Sequence, residues 1–485
     1  MDDNTAASQG NRGLLSGVKG KNINHSEPNM KTRSLRSSIA KQSFVHDVEL
    51  GHKVGVFGAL LTVVGTIIGG GIVGIPFATL KTGIWIMLVL HFLNFVWGIY
   101  SVHLLLEAKN ISGLSSFSEL GYYCFGRASI FMINGLVALA QCGMPIVYFM
   151  IVGSIGNGLL SKISSIKDEF WSSTTFSILV VGVLLFYFAI KKEIQELKGA
   201  GFVLLSGVIL FIIFMSILLI AEGTGPFDFG DLSKPKFDLE TLANVPTIFL
   251  AYGFQSAFFP AYTSLKDKTD ANGIKTTVGS FTFCIIVYVA TSIVALLKFG
   301  TDLKGNILEN VSDLDGAIPI IISIIFLLIA MMHIPIVLFV GKEAVLIIID
   351  EIMRKSYSTL PRATIDNAYS LRDSYHVNKA ANDQEGKAYL TMHPVIFYGV
   401  SIFIYVSIVT LACVLKDITL VFGVIGSLAG SYLIFIAPSS FYLMSIRNEG
   451  ADVSFLRKLI AWIYLILGLV IMLTCLFATI YTASV

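Results

Sequence analysis

Charge is scarce in this chain. Only 14% of its residues are Asp, Glu, Lys or Arg, against 55% hydrophobic, whereas a soluble domain carries nearer a quarter charged. All 32 Asp and Glu fall in tails, loops or helix ends such as Glu107. The lack of acids at depth argues against an intramembrane aspartyl protease, a carboxylate proton relay or a metal-dependent membrane enzyme. The histidines within apolar runs, His91, His103, His333 and His393, are isolated and show no metal-ligand spacing. No metal site, no cofactor and no enzymatic activity are therefore expected. Cysteine is also rare, with five in the chain, and no loop carries a pair that would staple it. A net charge of +2 gives no case for nucleic acid as a partner. The first 53 residues contain no apolar stretch, so no cleaved signal peptide is expected, and the first span must act as its own membrane signal.

Long apolar runs are plentiful. Reading stretches of roughly 18 to 25 residues as spanning helices gives eleven: 56–80, 83–106, 129–152, 173–190, 199–221, 243–262, 276–297, 317–341, 393–415, 418–445 and 455–481. This predicts a polar tail over 1–53, disordered and cytoplasmic, followed by a transmembrane domain over 54–485 with one long polar loop, 342–392. With the N-terminus inside, 26 of the 34 Lys and Arg fall on the cytoplasmic side, as the positive-inside rule requires. Val485 is then extracellular or lumenal. Of the N-x-S matches at Asn24, Asn110 and Asn310, only Asn310 falls outside, making it the one candidate for glycosylation. The segment YSTL (357–360) matches a short tyrosine sorting pattern, and both plasma membrane and lysosome or vacuole stay open as locations.

The stretch GTIIGGGIVGIPF (65–77) places glycines and a proline, poor helix formers, inside the first span. Span six has a counterpart in VPTIFLAYGFQSAFFPAY (245–262), interrupted by Gly253, Gln255, Ser256 and Pro260. The two spans are five apart, and interrupted helices in matching positions of two halves point to an inverted-repeat transporter and its binding site. The alternative is that the glycines only let helices pack closely, which Gly65, Gly69 and Gly70 would satisfy. It does not explain Gly69-Gly70-Gly71 in a row, because consecutive residues face different directions. A broken helix frees backbone groups that need partners in hydrocarbon. The half-helix N-terminus after the first break suits a carboxylate, with Thr66 as a hydroxyl donor beside Gly69, Gly70 and Gly71. Carbonyls at the second break, around Tyr252, Gly253, Gln255 and Ser256, suit an ammonium group. Together they describe an α-amino acid, and spans without buried Asp or Arg favour a neutral side chain.

GTIIGGGIVGIPFA, followed by a short turn and a second span, resembles the first-helix signature of the amino acid/auxin permease family. Within that family the pattern is similar to the neutral amino acid transporters of solute carrier family 38. FLAYGFQSAFFPAYTSLKD resembles the sixth-helix motif of that group, and LKGAGFVLLSG (197–207) and HIPIVLFVGKEAV (333–345) resemble its fifth and eighth helices. The resemblance runs over about residues 53–482 and implies an all-α polytopic membrane protein with a LeuT-like five-plus-five inverted repeat. One extra helix would complete it, with helices one and six broken. It also implies secondary transport of amino acids.

The departures bear on the driving ion. Sodium-using members carry an asparagine where this chain has Gly65, and threonines on helix eight where, matched through Pro335, it has Met331 and His333. The sixth-helix histidine of the family is Gln255 here. Sodium needs several oxygen ligands, and Gly65, Met331 and His333 supply none from their side chains, which favours a proton over sodium. His333 lies deep in an apolar run and titrates near ~6.5 in water, so it is the candidate coupling residue. The competing reading has it hydrogen-bonded to the carbonyl freed by Pro335. Gln255 is either a pocket residue or an interhelical hydrogen bonder.

A nutrient sensor of the same architecture, signalling through KTRSLRSS (31–38) or the 342–392 loop with little transport, is the second functional reading. Its cytoplasmic protein partners are not specified by the sequence. An ion channel would need rings of polar pore residues, and none stands out.

Overall fold

The computed structural model describes residues 53–69, 71–163, 170–192, 200–226, 230, 234, 236–356, 358 and 388–484. They belong to one compact unit, Leu50–Val485, while a first unit, Met1–Glu49, lies outside the described residues together with its 31–38 segment. Every apolar run of the sequence is helical. The first divides into α1 (Val56–Ile67) and α2 (Gly71–Thr82), and α3 (Ile84–Ser112) follows. Next come α4 (Phe117–Phe125), α5 (Arg127–Leu160), α6 (Thr174–Ile190) and α7 (Ala200–Glu222). The sixth run divides into α8 (Leu239–Ala251) and α9 (Gln255–Thr263), before α10 (Asp270–Phe299), the short α11 (Ile307–Asp313) and α12 (Ala317–Arg354). The chain closes with α13 (Pro394–Val414), α14 (Ile418–Glu449) and α15 (Phe455–Ser484). Among the described residues eight helices are long and apolar enough to cross a membrane. The α1–α2 pair meets the same measure when taken together, bent by 64°. The chain is an all-α polytopic membrane protein.

The helix boundaries follow from local chemistry. Asp238, Thr269 and Asp417 each cap the helix that follows through a side-chain oxygen on a backbone N–H. The Thr241 N–H, 2.7 Å from Asp238, holds that carboxyl below the ordinary range. Gly83 and Gly113 adopt φ of 82° and 80°, where a Cβ is penalised. The first separates α2 from α3 and the second ends α3 with its N–H on the Lys109 carbonyl at 2.7 Å.

One boundary departs from the sequence reading. The eighth span continues as helix to Arg354, through residues assigned to the polar loop. Its extension is amphipathic, with Leu346 buried against Met392 and Phe397 in a small second core. Lys342, expected in that loop, is buried, and its ammonium donates to the carbonyls of Ala189 and Lys191 at 2.9 and 2.6 Å. It thereby caps the C-terminus of α6 and complements its dipole. Glu351 is fully buried and accepts from Arg127 Nε at 2.5 Å and from the Ser358 hydroxyl at 2.7 Å. The remainder of the YSTL segment and of the loop up to residue 387 lies outside the described residues.

The core sits where α5 packs on α12, where α10 packs on α1 and α2, and where α14 packs on α8. α14 contains wide π turns over Gly426–Gly430 and Tyr432–Ile436, a distortion often found beside functional sites. A Cβ on Gly426 would lie 2.1 Å from the Pro246 carbonyl oxygen, so only glycine lets α14 press this closely on α8.

Candidate functional site

The first break lies between Ile67 and Gly71. Ile68 leaves the helix at φ −74°, ψ 93°, its N–H still on the Val64 carbonyl at 2.8 Å, and Gly71 opens α2. Gly70 lies outside the described residues. The second break occupies Tyr252 to Phe254, between the end of α8 and the start of α9. The Gln255 side chain folds back onto it, and its Oε1 accepts the Phe254 N–H at 3.0 Å.

The two breaks touch. A Cβ on Gly71 would stand 2.8 Å from Ala251 Cβ and 3.0 Å from Ala251 Cα, so the start of α2 rests on the end of α8 because neither residue carries a larger side chain. Tyr288, fully buried on α10, donates toward the carbonyls of Ile67 at 2.9 Å and Ala251 at 3.1 Å, the last residues of α1 and α8. At one end of the bundle the segments flanking these half-helices are also tied: Val54 N–H donates to Ser264 O and Lys266 N–H to Val54 O, both at 2.9 Å. Nearby, Lys109 Nζ donates to Asp270 Oδ1 at 2.7 Å and to the Tyr262 hydroxyl at 2.9 Å. The outer turns of α3, α9 and α10 are joined in this way.

Beside the first break is a narrow cleft of about 20 Å³, lined by Gly69, Ile72, Tyr148, Leu308, Phe326 and Ile329 among others. That is room on the order of one water molecule, so a larger ligand requires the helices around it to part. The lining is apolar except for the Tyr148 hydroxyl, which a Cβ on Gly69 would approach to 3.5 Å.

The residues singled out from the sequence are distributed unevenly around this junction. Gly69 and Gly71 lie at it. Thr66 does not serve it: the residue is exposed and its hydroxyl donates back to the Thr62 carbonyl at 3.0 Å, because its position on α1 turns it away from the cleft. The Tyr252 ring is buried on the far side of the break, where its hydroxyl meets His91 Nδ1 at 2.7 Å. Gly253 and Ser256 are half-buried along the break and the first turn of α9. Gln255 is fully buried, and its Nε2 has no hydrogen-bond partner among the described residues. His333 is buried one ring away from the cleft. Its centroid is 5.9 Å from that of Tyr148, and its Nδ1 pairs with the Ile329 carbonyl at 3.1 Å. This is its own helix-turn partner rather than the Met331 carbonyl that Pro335 leaves open.

Asn310, the glycosylation candidate, is buried in α11, where its Oδ1 accepts the Lys304 N–H and its Nδ2 donates to the Asp302 carbonyl, both at 2.9 Å, so the side chain stitches the loop. The sequence reading missed Tyr148, His91 and Tyr288. Their one signal was polarity inside apolar runs, which many core residues share.

Comparison with known proteins agrees with this architecture. A family profile described as "Transmembrane amino acid transporter protein" matches residues 52–481. One relative, the "Sodium-coupled neutral amino acid symporter 2" of Danio rerio, is 23% identical over 432 residues, covering 84% of this chain and 78% of its own. The family consists of transporters rather than enzymes, and the resemblance to the solute carrier family 38 group holds in this relative. An unbroken match from just before α1 to near the end of α15, across both helix breaks and their shared junction, means that the chain belongs to the transmembrane amino acid transporter family.

Proposed function

We propose that the chain is a secondary active transporter of neutral amino acids, driven by protons rather than by sodium. The observation that carries this reading is the junction of the two breaks, where Gly71 meets Ala251 beside an apolar cleft. The substrate carboxylate is assigned to the N-terminus of α2 at Gly69–Gly71, because the first N–H groups of a helix have no partner within it and its positive dipole end lies there. The ammonium group is assigned to the carbonyls of Tyr252 and Gly253 at the second break. Ile72, Val73, Ile151 and Phe326 along the cleft suit an uncharged side chain.

The reading has the architecture of eleven spans, two inverted sets of five plus α15, with broken helices one and six. The N-terminus is cytoplasmic and Val485 extracellular or lumenal, in a plasma membrane or a lysosomal or vacuolar one. With that orientation the Val54–Ser264 and Lys266–Val54 bonds close the cytoplasmic end. The relative's name couples it to sodium, but Gly65, Met331 and His333 here offer no side-chain oxygen ligand. His333 instead places an imidazole next to Tyr148 and the cleft.

The deciding experiment is flux into proteoliposomes with a panel of amino acids, with and without sodium, at two pH values. Sodium-independent uptake of neutral amino acids that rises when the substrate side is acidified is expected. Strict sodium dependence with no pH response would overturn proton coupling, and binding without flux would make the chain a sensor instead.

Gln255→Ala is expected to change the relative rates for small and large neutral substrates, because the buried Nε2 is an unused donor beside the break. It also removes the acceptor for the Phe254 N–H, a loss of about 1–3 kcal/mol. A uniform fall in rate across the panel would leave Gln255 with only the capping role.

A further inference from the structure

α1 and α8 each end on a carbonyl that helix geometry leaves without an N–H partner, and each carries the negative end of its dipole there. Both ends converge on one side chain. Tyr288 Oη lies 2.9 Å from the Ile67 oxygen and 3.1 Å from the Ala251 oxygen. A phenol has a single proton to donate, so the two carbonyls share it. Half-helix C-termini and unwound carbonyls of this kind are where broken-helix transporters hold a coupling cation.

We propose that the Tyr288 hydroxyl is a built-in substitute for a cation at the junction of the two breaks, so that α1 and α8 stay together without a metal ion. The inference rests on the transporter reading and adds a reason for sodium independence separate from His333. The ring is held in place from behind. Tyr252 meets it edge-on at 5.3 Å, and His91 stacks over it at 6.3 Å while bonding the Tyr252 hydroxyl. The proton is therefore presented to both carbonyls from a fixed position on α10, and relative movement of α1 and α8 must change how it is shared.

The test uses the full chain in proteoliposomes with choline, sodium or lithium salts at ~100 mM, above the affinity range of a weak oxygen site. Tyr288→Phe keeps the ring and removes the donor, and its neutral amino acid exchange should fall about tenfold in every salt, in line with a lost buried hydrogen bond. Tyr288→Ser also removes the ring, leaving space and an oxygen for a cation. Its exchange should be lost in choline and restored at least in part by sodium or lithium. Wild type should be indifferent to the salt.

Exchange by Tyr288→Phe within twofold of wild type would overturn the proposal. So would a Tyr288→Ser defect that no alkali cation relieves. Melting temperature reads the same point without flux: sodium should raise it for Tyr288→Ser and leave wild type unmoved. Recovery of Tyr288→Ser only when sodium is present during solubilisation counts in favour, and recovery in no salt counts against. If wild type binds amino acids yet moves none, the transporter reading fails, and the melting shift still decides the role of Tyr288.

Discussion

Gly71→Val should reduce uptake to background while the protein still reaches the membrane. The added Cβ falls 2.8 Å from Ala251 Cβ and 3.0 Å from Ala251 Cα, and valine adds two further methyl groups to that contact. Overpacking of this kind typically costs about 1–3 kcal/mol, small enough for an embedded helical bundle to survive. The displacement is concentrated at the site, where α2 must lift from α8 and separate the Ile67 and Ala251 carbonyls that Tyr288 holds. Gly71→Ala should lose less, and Ala251→Gly added to it should recover part of the loss by removing the atom that is struck. The measurement is uptake normalised to surface protein. Near wild-type rates for Gly71→Val would remove the junction from the substrate path. Gly70, the middle glycine of the three, lies outside the described residues.

His333→Ala should abolish accumulation driven by a pH gradient while leaving exchange of substrate for substrate. The imidazole is buried, with Nδ1 committed to the Ile329 carbonyl at 3.1 Å, so Nδ1–H is the donor and Nε2 the nitrogen left to take a proton. Its ring lies beside Tyr148, whose hydroxyl faces Gly69, and charge on the imidazole would be felt at the proposed carboxylate site through one intervening side chain. Uptake should be compared under an imposed gradient, acid on the substrate side, and under equal pH with substrate inside. A mutant that loses both activities equally would assign His333 to packing in α12.

The sequence by itself determined the helices and the places where they break. Apolar run length sets a helix in a bilayer, because lipid offers backbone groups no partner outside the helix. Gly69-Gly70-Gly71 and Gly253 interrupt it through intrinsic conformational cost, so α1, α2, α8 and α9 were legible from neighbouring residues alone. Which way a side chain faces within those helices was not. Thr66 is turned outward onto Thr62, Asn310 is spent on Lys304 and Asp302, and Lys342 is pulled out of an apparent loop to cap α6. Each outcome depends on an element that arrives from elsewhere in the chain. The junction itself is the clearest case, since Tyr288 lies 221 residues from Ile67 and 37 from Ala251. No periodicity along the chain marks it, and it exists because two helices end unsatisfied within reach of a third, a coincidence that only packing in three dimensions creates.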